Sequence, residues 1–508
     1  MILSMNLKTQ LSKIKPEHWI IIGCLMLASL FIFDHLGART MWVDEAGVAN
    51  TAELPFNQAY LMAFQDGHLI AHVYFTKILS LILGTSEIAY RSFSILFALA
   101  LIILLYKTAK LIFADKKTAL SAAILGSTNY FLIWFASQIR PYTLAAFSGL
   151  LSFYFFIKLT QTASKKYYIA YALVTLIGLY THPWLFLVLA SQILTTLFFS
   201  KQIKNYFKIL FSAGAALVLA LPYVAVMLYQ GQLGTTAWLG KPENLAILKS
   251  FRYLSYGENY VYLILILIAI FFIISNHSEF KNHFSKNKIA LTALSLYLFF
   301  PLIAAFIISQ FKPAYLLGRY EMIVLPAFIL IAAYLWSQIK NNYLALLFIP
   351  LLVFFAAKNV VINSNFVNSQ AANDKTVTAY VLANINQDDT VIATDLSWHT
   401  FYYYQKKLNH DKKFNLITYP DEIKNHPCWK NTEQMLNHQE QYQTEAKNLI
   451  ASLANKSATI WVLYKVGNPI NEILLQELNE NFMLAGAYTP PPPKQPMWLD
   501  IVLVYKTK

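Results

Sequence analysis

Met41-Trp42-Val43-Asp44-Glu45-Ala46-Gly47 sets two adjacent carboxylates shortly after the first long apolar segment of the chain, Trp19 to Phe33. Placed in lipid, such a pair is expensive, so it is either reached by water or engaged in chemistry. The dilemma exists only if the surrounding chain lives in a membrane, and composition says that it does. Of 508 residues 57% are hydrophobic and 13% charged, and the mean hydropathy is +0.45. Soluble domains hold roughly 45–50% apolar residues.

The net charge of +14 could suggest nucleic acid as a partner. The lysines, however, stand in short clusters between apolar segments rather than on one face or in a tail, which is a topology signal and argues against nucleic-acid binding. Cys24 lies in an apparent span and Cys428 in a distant polar region, so neither a disulfide framework nor a thiolate metal site is indicated. Lys8, Lys13 and Lys15 precede the first apolar run with no small-residue cleavage site after it, which reads as an uncleaved signal anchor.

Transmembrane helices need about 17–25 apolar residues. Candidates lie at 19–36, 92–113, 117–136, 140–160, 167–181, 183–199, 206–229, 259–275, 289–310, 321–336 and 342–358. Connections 1–18, 107–117, 158–166, 201–208 and 281–288 are rich in Lys and Arg, whereas 37–70, 137–141, 181–183 and 311–321 are poor in them. The positive-inside rule puts the first set in the cytoplasm and the second outside. The N-terminus is then cytoplasmic and the C-terminus external. Residues 70–84 are apolar but short and carry His72 and Lys77; a full span there would reverse the sign of the next loop, so a re-entrant or partial helix is expected.

From about Asn359 the polar content rises and apolar runs shrink to strand length. Helical patterns at 370–386, 398–407 and 432–453 alternate with strand-like Thr390–Ala393, Thr459–Leu463 and Ile501–Tyr505, with Pro490 to Pro493 as a stiff connector. The expected fold is mainly α: a polytopic transmembrane helical bundle of about 11–13 spans over 1–358, with a first external loop at 37–70. A soluble, non-cytoplasmic α/β domain follows over 359–508.

Neighbouring residues point about 100° apart on a helix, so at most one of Asp44 and Glu45 aims squarely into a shared cavity. Asp44 suits the N-cap of a short helix at 45–54 ended by Pro55; a partly desolvated carboxylate there equally suits a general base. Asp66, His68, His72 and His182 could hold a divalent metal, but their spacing matches no defined zinc motif and structural or substrate contacts are favoured. Arg140 stands before Pro141 where two spans meet, either snorkelling or offering its fork to phosphate oxygens. Tyr180-Thr181-His182-Pro183-Trp184 and Leu317-Gly318-Arg319-Tyr320-Glu321 fall on the same predicted face. Their aromatic residues suit an interfacial belt, and Arg319 could pair with Glu321. What favours function is that the acidic pair, Arg140, His182 and Arg319 come from different loops yet share one side.

This pattern resembles the polytopic glycosyltransferases of GT-C fold, in particular the family 39-like group of protein O-mannosyltransferases and the lipid A aminoarabinose transferase. Trp42-Val43-Asp44-Glu45 matches the group's acidic pair in the first external loop. Asp66-Gly67-His68-Leu69-Ile70-Ala71-His72-Val73-Tyr74 keeps the following Asp and aromatic but lacks both family prolines. Leu83-Gly84-Thr85-Ser86-Glu87 with Arg91, Gln138-Ile139-Arg140-Pro141-Tyr142, Tyr180-Thr181-His182, and Arg319-Tyr320 with Leu325-Pro326 continue the series in order. The resemblance implies transfer of a sugar from a polyprenyl-phosphate-linked donor to a lipid, glycan or protein acceptor at the outer face of the plasma membrane. Asp44 would be the general base of an inverting displacement, with Glu45 and Asp66 shaping the site. Arg140 and Arg319 would hold the lipid phosphate, and His72, Tyr142, His182 and Tyr320 would contact substrate. The competing reading is a transporter or flippase of a lipid-linked or anionic solute, against which stands the clustering of ionisable residues at span ends rather than the midplane. A membrane scaffold whose external domain binds a partner is a third.

Overall fold

The computed structural model describes residues 15–36, 40–65, 70–232, 236, 239–255, 267, 270, 287–339, 342–408, 413–424, 435–454, 459–465, 468–490 and 500–508. Asp66, His68, Cys428, Pro491 to Pro493 and all but two residues of the expected 259–275 span lie outside them. By contacts the chain divides into two compact units. One comprises Met1–Leu36, Arg91–Val224 and Leu239–Val361; the other comprises Gly37–Tyr90, Ala225–Trp238 and Ile362–Lys508.

The first unit is helical. Within the described residues, Pro16–Asp34, Glu87–Phe113, Tyr142–Gln161, Tyr206–Gln232 and Lys288–Ile308 are long and apolar enough to cross a membrane. A sixth candidate is the pair Lys116–Thr128 and Tyr130–Ala136, which the sequence reads as one span over 117–136 but which bends by 55°. Asn129 explains the break: its side chain accepts the Leu132 N–H at 3.0 Å, capping the second piece, and its amide donates to the Leu254 carbonyl at 3.1 Å. Lys165–Thr181, at 17 residues, stands at the lower limit for a crossing, and Trp184–Phe198 and Leu325–Ser337 fall below it. The last begins four residues later than the sequence pattern indicates, because Tyr320–Ile323 forms a separate 3₁₀ turn. Helices pack closely where side chains vanish: a Cβ on Gly149 would stand 2.7 Å from the Tyr297 hydroxyl, and one on Gly178 2.9 Å from Leu185.

The second unit holds a five-stranded sheet, order β2-β1-β3-β5-β4, of β1 (Thr390–Thr394), β2 (Asn415–Tyr419), β3 (Ile460–Lys465), β4 (Phe482–Tyr488) and β5 (Asp500–Thr507). β1 runs parallel to β2 and β3, with Val391 opposite Trp461, while β5 is antiparallel to β3 and β4. Side chains alternate across the sheet. Val391, Ala393, Trp461 and Leu463 pack with Val377, Val381 and Phe401 on one face. Ile392, Ile460 and Val462 pack with Ala446, Ile450, Leu474 and Leu478 on the other. Covered on both faces, β1 and β3 are wholly buried, which is why they read as unbroken apolar runs. β2, buried only at its C-terminal end, and β4, exposed along most of its length, escape the sequence pattern. The helix after residue 342 runs without interruption through Asn342–Asn384, merging the expected 342–358 and 370–386 helices.

Residues 40–90 belong to this second unit and form the helices Val43–Glu53, Phe56–Gln65 and Ile70–Leu83, followed by the start of Glu87–Phe113. Ile70–Leu83 has 14 residues, the partial helix that the sequence calls for. The buried Lys77 within it is satisfied by the backbone: its ammonium donates to the carbonyls of Ala52, at 2.9 Å, and Leu54. Those carbonyls close the Val43–Glu53 helix, so a cation sits at its negative end.

Candidate active site

In the helical unit three separate connections converge. Pro141 presets the first turn of Tyr142–Gln161 and leaves Arg140 just outside it, where the Arg140 carbonyl accepts the Ser94 hydroxyl at 3.3 Å. His182 ends Lys165–Thr181, and Tyr320 opens the 3₁₀ turn. The rings of His182 and Tyr320 meet edge to face at 4.7 Å, Tyr142 lies 5.9 Å from His182 and 6.2 Å from Tyr320, and Trp184 lies 5.7 Å from Tyr320. The Arg140 guanidinium stands 5.6 Å from the centre of the Tyr142 ring. Arg140, Tyr142, His182 and Tyr320, four residues singled out by sequence, therefore form one cluster, and Arg319, next in the chain to Tyr320, adds its charge to that ring's surroundings.

Trp184 is more than a belt residue: buried, it donates its indole N–H to the Ala314 carbonyl at 2.8 Å. Its backbone N–H donates to His182 Nδ1 at 3.2 Å, which leaves the imidazole proton on Nε2. Burial, reinforced by the Arg140 charge, depresses the His182 pKa to about 3, so the imidazole is neutral. The positive charge of the cluster comes from its arginines. Glu321 engages the backbone of Arg319. Its carboxylate, fully buried, accepts the Arg319 backbone N–H at 3.0 Å and the Ser250 hydroxyl at 2.9 Å. Ser250 and Tyr315, to which it also bonds, carried no sequence signal.

In the second unit the Val43–Glu53 helix carries the acidic pair in its first turn, where carboxylates suit the helix dipole. Its N-cap is Trp42 rather than Asp44, which corrects the capping alternative. Asp44 is half-buried and Glu45 fully buried, the divergence that helical geometry requires of neighbours. His72 is buried on Ile70–Leu83. The acidic helix lies against the Ser397–Lys407 helix. Asn50 donates to the His399 carbonyl at 2.9 Å, and Gly47 faces the His399 ring, 3.6 Å from where a Cβ would stand. Glu53 accepts from Tyr90 at 3.0 Å and pairs with Lys407 and Lys406 at 3.3 and 3.5 Å. Buried Tyr404 accepts the Met41 N–H at 2.6 Å and donates to Glu87 at 3.0 Å. No sequence feature marked His399 or Tyr404. Among the described residues no group of three His, Cys, Asp or Glu side chains has metal-binding geometry. His72 and His182 belong to different units.

Three comparisons bear on these arrangements. The family model described as dolichyl-phosphate-mannose-protein mannosyltransferase matches residues 68–229, about a third of the chain. No curated protein matches by sequence. Among solved structures, ArnT from Cupriavidus metallidurans in the apo state superposes with a TM-score of 0.61 at 11% identity, covering 96% of this chain and 98% of that one. The fold is that of the GT-C glycosyltransferases. The same ArnT bound to undecaprenyl phosphate gives a TM-score of 0.60 at 12% identity, with the same coverage. The resemblance read from the residues is thus borne out in the family model over 68–229 and in the fold, and the chain is a multi-span membrane protein.

Proposed function

We propose that this GT-C chain is an integral-membrane glycosyltransferase that moves a sugar from a polyprenyl-phosphate donor to a lipid, glycan or protein acceptor. The observation that carries the reading is the cluster of Arg140 and Arg319 with Tyr142, His182, Trp184 and Tyr320. Guanidinium forks suit phosphate oxygens, and in a water-poor aromatic setting fixed cations stabilise departing negative charge most strongly. A likeness of fold to a protein seen with undecaprenyl phosphate supports the same ligand class here.

In this reading Asp44 takes the proton of the acceptor hydroxyl or amine, and the freed lone pair attacks the anomeric carbon opposite the leaving group. The new bond to the acceptor forms as the bond to the phosphate oxygen breaks, inverting the centre. The charge released on the lipid phosphate is met by Arg140 and Arg319. Asp44 then returns its proton to water. Glu45 and Asp66 shape this site, and His72 contributes to substrate contact. The site faces the non-cytoplasmic side of the plasma membrane, with the N-terminus cytoplasmic and the C-terminal sheet, within 359–508, outside.

The test is transfer by purified protein from a radiolabelled polyprenyl-phosphate sugar to an envelope extract. Asp44→Asn is expected to lower turnover by about 10²–10⁴, the range for a general base. Full turnover by a folded Asp44→Asn protein would remove the base assignment. Flipping of the labelled lipid in proteoliposomes, with no transfer, would establish the transporter reading instead.

A further inference from the structure

Arg319 and Tyr320 sit where an irregular connection enters a single 3₁₀ turn, so something must hold them. Gly318 takes φ +79°, a left-handed conformation, with the Tyr253 ring 3.0 Å from where a Cβ would stand. Arg319 follows with φ −136° and ψ −55°, outside the helical range. Two residues on, the fully buried Glu321 turns back on its own chain: Oε2 accepts the Arg319 N–H at 3.0 Å. Oε1 accepts from Ser250 at 2.9 Å, and Ser250 in turn bonds Tyr315. One carboxylate therefore closes the turn locally and ties it to the helix Ala246–Leu254.

We propose that Glu321 is a positioning residue for the donor site, fixing the turn that presents Arg319 and Tyr320 to the lipid phosphate. This rests on the reading of the cluster as a phosphate site. Keeping a carboxylate buried is costly unless its hydrogen bonds are made, and here each oxygen has a defined donor. A residue serving only to stabilise the bundle could be apolar; a carboxylate that captures the backbone N–H of a site arginine sets that arginine's direction. Glutamine at 321 keeps an oxygen for Ser250 but offers no second acceptor to the Arg319 N–H.

The test is equilibrium binding of undecaprenyl phosphate to the purified full chain, wild type against Glu321→Gln, Glu321→Asp and Ser250→Ala, with melting temperatures alongside. Glu321→Gln is expected to weaken binding about tenfold, corresponding to about 1.4 kcal/mol. Glu321→Asp should fall between it and wild type, and Ser250→Ala should lose about threefold. In turnover the donor KM should rise while kcat stays within about twofold, the signature of lost binding alone. If wild type binds and Glu321→Gln binds equally well, the positioning role is wrong while the phosphate site stands. If wild type does not bind undecaprenyl phosphate, both are overturned. Should Glu321→Gln not fold, Ser250→Ala decides: unchanged affinity refutes the proposal and weakened affinity upholds it.

Discussion

The arginine–aromatic cluster and the acidic helix are built in opposite ways. In the cluster, Arg140 and His182 lie at the ends of apolar helices and Tyr320 opens the 3₁₀ turn just before another, so packing of the bundle brings the three together. The acidic helix depends on a remote part of the chain. Met41 bonds Tyr404, 363 positions away, and Asn50 reaches His399, 349 away. Helix ends in a membrane bundle can be matched by alternating topology, which a sequence displays. Docking of a loop on a helix hundreds of residues away leaves no such trace.

The sharpest way to break this comparison is to separate binding from chemistry. Arg140→Ala should reduce undecaprenyl phosphate affinity by about 10- to 100-fold, from the loss of a charge-assisted fork worth about 1.5–3 kcal/mol. Asp44→Asn should leave that affinity within about twofold. If Asp44→Asn abolished binding and Arg140→Ala did not, the division of roles would be reversed. Arg140→Lys should recover only part, since an ammonium lacks the planar fork.

A second probe uses pH. The His182 pKa lies below the unfolded value of 6.5, so folding favours the neutral ring. The stability this gives is complete above about pH 6.5 and is lost as pH falls toward about 3; at pH 5 the loss is about 2 kcal/mol. Melting of His182→Gln should therefore be less sensitive than wild type to acidification from pH 7.5 to 5. Equal sensitivity would show that the ring is not held neutral. Tyr404→Phe sharpens the other side: it strips a partner from the Met41 N–H and from Glu87, and chemical denaturation should report a loss of about 1–2 kcal/mol. The smallest effect is expected from Lys406→Ala, whose partly exposed pairing with Glu53 is worth about 0.2–1 kcal/mol.

Much of the bundle was legible because lipid imposes a strong rule: long apolar runs must be helices and clusters of Lys and Arg mark one side. The broken helix at Asn129 was not, since its cause is a side-chain cap and a contact with Leu254, invisible in hydropathy. Of the cluster, Arg140, Tyr142, His182, Arg319 and Tyr320 were found from span ends and family order. Ser250 and Tyr315 were missed because a serine on a short helix and one tyrosine among 32 carry no signal by themselves. In the sheet, β1, β3 and β5 were read from apolar runs; β2 offers only Leu416 and Ile417 between polar residues, and β4, though apolar throughout, lies largely exposed and directly follows a helix with no loop between to mark its start.

The bond between Met41 and Tyr404 also has a consequence in time. A ribosome adds roughly 5–20 residues per second, so the 363 residues that carry the chain from Met41 to Tyr404 take roughly 20–70 s to synthesise. Throughout that interval the segment bearing Asp44 and Glu45 has been made while the helix that will seat it has not. Assembly of the acidic helix is therefore a late event in the life of the nascent chain, and truncation before Tyr404 leaves that helix without its seat.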